Sequence, residues 1–375
     1  MIDYVEVRNN KFELLGIIDT ASSIIWHSVY YGVGDFELYV QATPTAVGLL
    51  RIGRYITRPE NREVGIIESL DFANNMQDGK MLTVSGRFAK SILDRRHIYR
   101  LSGTKNRATV LKGNVETNIR KVVSDNAISC SFDAKRNIGC LQLGELANIS
   151  KIIVDENGDA AQKQVSYENL LTYTDEVLQE YEMSSLIILD EENAKLQYII
   201  YEGADRSADN ADGNEIIVFS QEFDNLTASA YQYSTTAEKN TALIGGAGEE
   251  EKRFYTLLQT GKTDLARKET WVDAKSINKT YTDDDEQEQT YTNAEYTAIL
   301  KAEGRKDLSE KKITKAFSGT IDVTNSNWMI NRDFWLGDKV TVQDNDIGLY
   351  INVRITETTE VQDENGYTID VVYGE

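Results

Sequence analysis

The side chains best suited to acid–base or nucleophilic chemistry are scarce in this chain, carboxylates excepted. Its 375 residues include two histidines, His27 and His97, and two cysteines, Cys130 and Cys140. A serine or cysteine nucleophile needs an adjacent base, and the sequence around the histidines indicates a strand and a basic loop. A serine or cysteine nucleophile paired with either histidine remains an alternative, but no sequence motif supports it. The cysteines are interpreted as reduced thiols, with a disulfide as the alternative.

Three segments resemble ion- or phosphate-binding loops, and each departs from the pattern that binding requires. DRSADNADGNEI begins like a calcium loop but has Asn210 in place of the turn glycine and Ile216 in place of the bidentate glutamate. In GGAGEEEKR (245–253), three glutamates follow the glycines, which disfavours phosphate. The run Asp283–Glu288 is interpreted as a solvated acidic loop rather than a weak cation site. No zinc-ligand spacing occurs, and we predict no metal and no cofactor.

Carboxylates are abundant, with 61 acidic residues against 40 basic ones and a net charge of −21. A glycosidase needs two carboxylates roughly 5–10 Å apart, but no specific pair is indicated. The charge argues against binding to nucleic acid or to an anionic membrane surface. Its simplest role is to keep the surface soluble.

The composition is that of a globular protein with several compact units. Hydrophobic residues make up 41% of the chain, and two prolines with no Pro- or Gly-rich linker predict packed or interleaved domains. No secretory signal and no run of about 18 apolar residues occurs, so we expect synthesis in the cytosol without entry into the secretory route.

The segment VGDFELYV (33–40) predicts a half-buried strand, because Phe36, Leu38 and Val40 alternate with polar residues. Gly32 and Gly34 precede it, and we expect them to allow the turn that sets the register of this strand.

Strand hairpins and helices alternate along the rest of the chain. Turn residues predict hairpins at Arg8–Asn10, Asp78–Gly79, Asn157–Gly158 and Asn365–Gly366. Helical spacing predicts a short helix over 87–96, helices capped by Asn114 and Ser166, and a helix that begins with the capping box of Thr292 and Glu295 and stops at Gly304.

These elements predict a β-rich α+β fold in which β regions alternate with two smaller insertions. The expected division is a first β region over 1–110, an α+β insertion over 111–185, a second β region over 186–250, a mixed insertion with the acidic loop and a helix over 251–315, and a closing β segment over 316–375.

Five sequence blocks occur in an order that resembles the siphophage tail-hub family, the central baseplate or tail-tip proteins that include tail-associated lysin N-terminal domains. The blocks are GVGDFELYVQAT, REVGIIES, SGRFAKSILDRR, GADRSADN with the segment IVFSQEFDNL to EEEKR, and WLGDKVTV with the terminal NGYTIDVVYGE. The residues proposed as structural or assembly motifs are Gly34, Asp35, Phe36, Asp94, Arg95, Arg96, Asp205, Arg206, Asp224, Asn225, Gly337 and Asp338.

The resemblance implies two related β-barrel domains, each interrupted by a smaller insertion domain, in a hub-like arrangement, with the first barrel over 1–110 and a closing barrel segment over 316–375. It also implies a homotrimer whose six barrels imitate six-fold symmetry. Such a ring joins the hexameric distal tail or tube ring to three-fold tip components, contacts a tape-measure or tip protein, and closes or gates the channel. It implies a virion structural protein of the tail tip or baseplate, from a phage, a prophage or a tail-like particle, without enzymatic activity, membrane anchor or sequence-specific contact with nucleic acid.

Two alternatives remain open at this stage. Many members of the family continue into a peptidoglycan-degrading domain, and because this chain stops at Glu375 we expect no lytic activity in cis. The first alternative is nevertheless a tail-borne peptidoglycan or glycan hydrolase. The second is a carbohydrate-binding tail-tip module, which would need an exposed aromatic platform; the four tryptophans (Trp26, Trp271, Trp328 and Trp335) are interpreted as core or interface residues.

Overall fold

The chain is mostly β-sheet, as predicted. The computed structural model describes residues 2–75, 79–99, 109–131, 133–154, 158–282, 287–322 and 326–374. In these ranges it has 24 strands and four α-helices, which confirms the β-rich α+β fold. Within the same ranges, no helix has the combination of length and apolar character that crossing a membrane requires.

The first part of the chain forms a β core with one short helix. Its elements are β1 Val5–Arg8, β2 Leu14–Ile18, β3 Ala21–Val29, β4 Asp35–Gln41, α1 Pro44–Leu49, β5 Tyr55–Thr57, β6 Gly65–Ile66, β7 Ser69–Asn75 and β8 Gly79–Arg87, followed by a 3₁₀ helix over Ala89–Arg95. The hairpins β1–β2 and β7–β8 form as predicted; Asp78 of the second turn lies outside the described residues.

Strand β4 is half-buried, as its alternation predicts. Phe36, Leu38 and Val40 are buried, and the residues between them face outward. The two glycines before it are required by the backbone: Gly32 has a φ of +136°, and a Cβ on Gly34 would lie 2.1 Å from the carbonyl oxygen of His27.

The next part of the chain packs two helices against short strands. Its elements are β9 Thr109–Lys112, α2 Val115–Val123, β10 Leu141–Leu143, β11 Gln162–Val165, α3 Leu170–Glu180, β12 Ser184–Asp190 and β13 Lys195–Tyr201. Asn114 caps α2, as predicted. The predicted cap Ser166 is wrong, because Asn169 caps α3 by accepting a hydrogen bond from the Thr172 amide at 3.2 Å.

The predicted hairpin around Asn157–Gly158 is only partly present. Val154 and Ala160 form an antiparallel bridge, but β11 beyond it pairs with β9 rather than with the segment before the turn. Asn157 itself lies outside the described residues. The turn residues therefore correctly predicted a chain reversal. They did not predict the pairing partner of β11, which is the more distant strand β9.

The last part of the chain returns to β structure around one long helix. Its elements are β14 Val218–Ser220, β15 Leu226–Ser234, β16 Thr241–Gly245, β17 Tyr255–Gln259, β18 Glu269–Asp273, β19 Thr280–Thr282, β20 Glu288–Thr290, α4 Asn293–Glu310, β21 Thr314–Ile321, β22 Lys339–Asp344, β23 Leu349–Asp363 and β24 Gly366–Gly374.

Helix α4 has the predicted start and a different end. Thr292 and Glu295 form the capping box, but the predicted stop at Gly304 is wrong, since the helix continues to Glu310. Gly304 is buried against the β16–β17–β18 sheet, where a Cβ would lie 2.5 Å from the Ile244 side chain. The glycine permits close packing of helix on sheet rather than ending the helix.

One ten-stranded sheet joins the beginning and the end of the chain. Its main path runs β15–β21–β24–β23–β3–β4–β8–β7, and β22 and β14 branch from β23. The central joint pairs β3 with β23, so that Trp26 lies opposite Glu360. Four hydrophobic clusters lie around this sheet and the smaller sheets.

Candidate functional site

Two of the predicted motifs meet at one buried ion pair. Asp338 Oδ2 accepts a hydrogen bond from Arg206 Nε at 2.8 Å, and its Oδ1 accepts one from the Ala204 amide at 2.8 Å. The Trp335 amide donates to the same carboxylate at 3.0 Å, and the Arg206 guanidinium lies over the Trp335 ring. Burial outweighs these partners and raises the pKa of Asp338. The carboxylate therefore fixes the turn before β22 to the segment after β13.

A close backbone crossing lies beside this pair. A Cβ on Gly203 would lie 1.9 Å from the Gly337 carbonyl oxygen, and one on Gly337 would lie 2.2 Å from the Tyr30 ring. Arg354 donates to the Gly337 carbonyl at 2.5 Å and to Glu182 at 3.0 Å. Three separate parts of the chain therefore meet where β3 ends, and each lacks room for a larger residue.

A cavity of about 310 Å³ opens next to the ion pair. Arg206, Trp335 and Asp338 form one wall, and Ser28 and Glu63 form another. Ser28 donates a short hydrogen bond to Glu63, which is buried. Burial, opposed mainly by the Ser28 hydrogen bond, raises the pKa of Glu63 to about 7.

Sequence reasoning missed four residues of this junction: Tyr30, Glu63, Glu182 and Arg354. Glu63 lies in the block REVGIIES but was not singled out, and the other three lie outside the motif blocks. None of these residues is part of a recognisable local motif. Their partners at the junction come from parts of the chain that are distant in sequence. Within the described ranges, no group of three or more His, Cys, Asp or Glu side chains is arranged to hold a metal ion.

The predicted residues Asp35 and Asp94 lie in a second, exposed cluster. Asp35 pairs in the sheet with Arg87, and Arg87 contacts Glu68 at 2.9 Å and Asp94 at 3.4 Å. Asp94 also accepts a hydrogen bond from the Asn169 amide group at 3.0 Å. This cluster connects the first β core to helix α3.

The remaining predicted residues have local contacts. Arg95 lies 4.0 Å from Glu68, and Arg96 donates to the Arg136 carbonyl at 2.7 Å. Asp224 adopts the left-handed conformation with φ of 52°, and Asn225 holds the turn by accepting from the Ser220 amide at 2.8 Å and donating to Val218. The structure does not bring Asp224 and Asn225 to the junction of Arg206 and Asp338.

The outer face of the ten-stranded sheet is acidic. Residues on this face alternate with the buried ones, so the strand register assigns them to it. Arg87 lies on the same face and is paired as described above. The acidic residues there are Asp35, Glu37, Asp71, Glu357, Asp363 and Asp370.

Both ends of the sheet path are open edges. Among the described residues, β15 pairs with β21 alone and β7 pairs with β8 alone. Strand β15, with the sequence LTASAYQYS, carries no charged residue and no proline, although edge strands of monomers are commonly blocked by such residues. Tyr231 and Tyr233 on it are exposed. This edge is suited to pairing with another strand.

The comparisons with known sequences and with solved structures both identify phage or tail proteins as similar to this chain. The sequence pattern of the Siphovirus ReqiPepy6 Gp37-like protein family matches residues 4–375, whereas no curated protein matches the sequence. A tail protein from Neisseria meningitidis MC58 has a similar fold, with 13% identity and a TM-score of 0.59 over 99% of this chain and 96% of that one.

Two further solved structures are similar to this chain in fold. The 43 kDa tail protein of prophage MuSo2 from Shewanella oneidensis has 14% identity and a TM-score of 0.57 over 99% of this chain and 98% of its own. Prophage tail protein gp18 from Listeria monocytogenes EGD-e has 11% identity and a TM-score of 0.52, covering 98% and 94%. At such identities the likeness concerns the fold.

Proposed function

The chain belongs to the Siphovirus ReqiPepy6 Gp37-like protein family, and on that premise we propose that it is a structural tail-hub protein of a phage tail or tail-like particle. It is a virion component of the tail tip or baseplate, and it acts by contacts with other tail components rather than by catalysis. Its fold likeness to three tail proteins supports this role.

The observation that carries the proposal is the pair of open edges on the ten-stranded sheet. The edges differ, so joining β15 of one copy to β7 of the next is a head-to-tail contact, which closes into a ring when the rotation allows it. We propose that three copies close such a ring. Eight strands lie on the path from β15 to β7, and a continuous sheet would leave neither of these two edges exposed to aggregation.

The acidic face gives the ring a second property. If this face lines the channel, phosphate groups of DNA meet Asp35, Glu37 and Glu357 and find few cations to exchange for their counterions. The DNA therefore passes without adhering. This role rests on the ring and adds a use for part of the net charge of −21.

The proposed partners come from the resemblance to the tail-hub family and from the three-fold ring proposed above. We propose that it joins the hexameric distal tail or tube ring to three-fold tip components, contacts a tape-measure or tip protein, and closes or gates the channel. The proposed motif residues hold the subunit in the shape that these contacts need, and the Arg206–Asp338 pair is central among them.

The division into domains is part of the same proposal. Separate hydrophobic clusters support the presence of two insertions, because one comprises mainly residues 111–200 and another residues 242–308. The first cluster extends beyond residue 185, since β12 and β13 form a sheet with β10. We propose that the two β cores are the barrels of the hub. The segments are 1–110, 111–185, 186–250, 251–315 and 316–375.

The test is the mass of the purified chain in solution, with imaging. Three chains of 42.3 kDa give about 127 kDa and a three-fold ring in negative stain. Ala230→Lys on β15 adds a charge at the open edge and should reduce the mass to one chain, whereas Thr368→Lys on the interior strand β24 should not. A stable wild-type dimer, or a monomer at high concentration, contradicts the ring. Clearing of cell-wall substrate in a zymogram contradicts the non-enzymatic role.

A further inference from the structure

An apolar platform covers the exposed face of the small β17–β16–β18 sheet. The strand pairing places Leu257, Leu243 and Trp271 side by side across it. Tyr255 lies one row further on, opposite Gly245. These four side chains are 38–51% exposed, while the other face of the sheet packs against helix α4. We call this set of four residues the platform.

The platform is held rigidly. A Cβ on Gly245 would lie 2.5 Å from the Trp271 ring and 2.7 Å from Arg253, so the absent side chain leaves room for the ring. The Arg253 guanidinium lies over both Trp271 and Tyr255, and it donates to the Gly245 and Gly246 carbonyls. Rigid aromatic side chains lose little entropy on binding, and Trp, Tyr and Arg dominate the binding energy of protein interfaces.

Two arginines at the borders of the platform are paired with carboxylates of the same insertion. Arg253 pairs with Asp273 at one border, and Arg267 contacts Glu269 at 2.6 Å at the other. An apolar centre with a paired polar rim is typical of protein interfaces. In a chain of net charge −21, such a neutral face lets another equally acidic body approach without like-charge repulsion.

The insertion that carries the platform begins at the end of the edge strand β15. Its strands are inserted between β15 and β21, which pair with each other up to Ser234 and Thr314. Contacts at the base tie the insertion down: the Lys239 amide donates to the Lys311 carbonyl at 2.7 Å, and Lys268 contacts Glu238 at 2.6 Å. Any neighbour that pairs with β15 therefore comes close to the insertion.

We propose that the platform docks onto a second copy of this chain, next to the strand pairing at β15. The inference rests on the proposed ring and adds a second contact between adjacent subunits. Pairing through β15 alone supplies backbone hydrogen bonds, whereas the platform adds buried aromatic and aliphatic area. The neutral rim favours a copy of this acidic chain as the occupant, and the aliphatic pair Leu243 and Leu257 favours protein over a glycan.

The test compares Trp271→Ser with Leu265→Ser. Leu265 is 91% exposed and lies outside the platform, so it is a matched apolar control. Sedimentation over a range of concentrations should show that Trp271→Ser raises the concentration for half-association at least tenfold, with the control within twofold. Leu257→Ser is the second variant if Trp271→Ser does not fold, as judged by circular dichroism and Tm.

The outcomes separate the two proposals. Trimers that keep wild-type affinity in folded Trp271→Ser and Leu257→Ser overturn the docking inference and leave the ring standing. A wild-type chain that does not self-associate overturns both. Binding of the wild type to a glycan array that depends on Trp271, with no effect of the substitution on self-association, overturns the choice of occupant and therefore the inference.

Discussion

The side chains of Arg206 and Asp338 form a hydrogen-bonded ion pair across 132 positions of the chain, with 2.8 Å between Nε and Oδ2. The pair is largely buried. It joins two sequence blocks, GADRSADN and WLGDKVTV, whose contact could not be predicted from their order in the sequence. Its partners on the backbone, Ala204 and Trp335, show that the carboxylate also satisfies amides in both segments.

We expect Asp338→Ala to destabilise the chain by about 3 kcal/mol, because it leaves a partly buried guanidinium and two amides without their acceptor. Asp338→Asn should cost less, since an amide oxygen can still accept one of these bonds. The measurement is urea unfolding at pH 7. The exposed Asp346→Ala is the control and should stay within about 0.5 kcal/mol. Equal stability of Asp338→Ala and wild type would contradict the structural role of the pair.

We expect Gly34→Ala to destabilise the first β core by about 2–4 kcal/mol. The added Cβ would lie 2.1 Å from the His27 carbonyl oxygen, so the turn before β4 must shift and strain its register. Gly48→Ala is the matched control, because no atom lies within 4 Å of its Cβ position. In helix α1 that substitution should be neutral or stabilising by up to about 1 kcal/mol. Thermal unfolding of both variants is the measurement, and similar Tm values would refute the prediction.

Glu63 should make stability depend on pH. Burial raises its pKa to about 7 from 4.5, so the folded chain holds this proton more tightly than the unfolded chain. The resulting stabilisation is complete below pH 4.5 and is lost as the pH rises through 7, by an amount of about 3 kcal/mol. Glu63→Gln should remove this loss and be more stable than wild type at pH 8.

The measurement for Glu63 is the free energy of unfolding at several pH values between 4.5 and 8. The exposed Glu60→Gln serves as control and should keep the wild-type slope. Parallel curves for wild type and Glu63→Gln would show that the carboxyl does not bind its proton as described.

We expect the double variant Glu37→Lys, Asp71→Lys to bind double-stranded DNA, which the wild type should not do. Both residues lie on the acidic face of the sheet, and reversing them creates a cationic strip beside Arg87. Binding should appear at roughly 50 mM salt and weaken strongly by roughly 200 mM, because it depends on counterion release. Fluorescence anisotropy with labelled DNA is the measurement.

The control for this variant reverses two charges at turns, Asp346→Lys and Glu364→Lys, away from the strands of the sheet. Equal DNA binding by both double variants would show that the location of the charge on the sheet has no effect. The proposed channel lining would then lose its support.

Local signals predicted many elements correctly. The Asn365–Gly366 turn joins β23 to β24, and the capping box at Thr292 starts α4, because both depend on residues that are neighbours in sequence. Ser166 and Asn169 are both good capping residues, and the choice was made by a distant contact, the bridge between His97 and Asn169. Gly304 looked like a helix stop for the same reason: its packing partner Ile244 lies far away in the chain.

The junction was predictable only in part. Three of the residues proposed as motifs, Arg206, Gly337 and Asp338, lie at the junction. Their contact, and the involvement of Glu63 and Arg354, depend on which strands pair across the long sheet. Alternation of polar and apolar residues predicts which face of a strand is buried, but not which strand it pairs with. The contact partners of these residues could therefore not be predicted from the sequence.

The pairing of β3 with β23 sets an order of events during synthesis. His27 and Glu357 contact each other across 330 positions. At about 5–20 residues per second, a ribosome needs roughly 15–70 s to make the intervening chain. For that period one side of β3 stays unpaired, so the nascent protein is exposed to misassociation until β23 has been made.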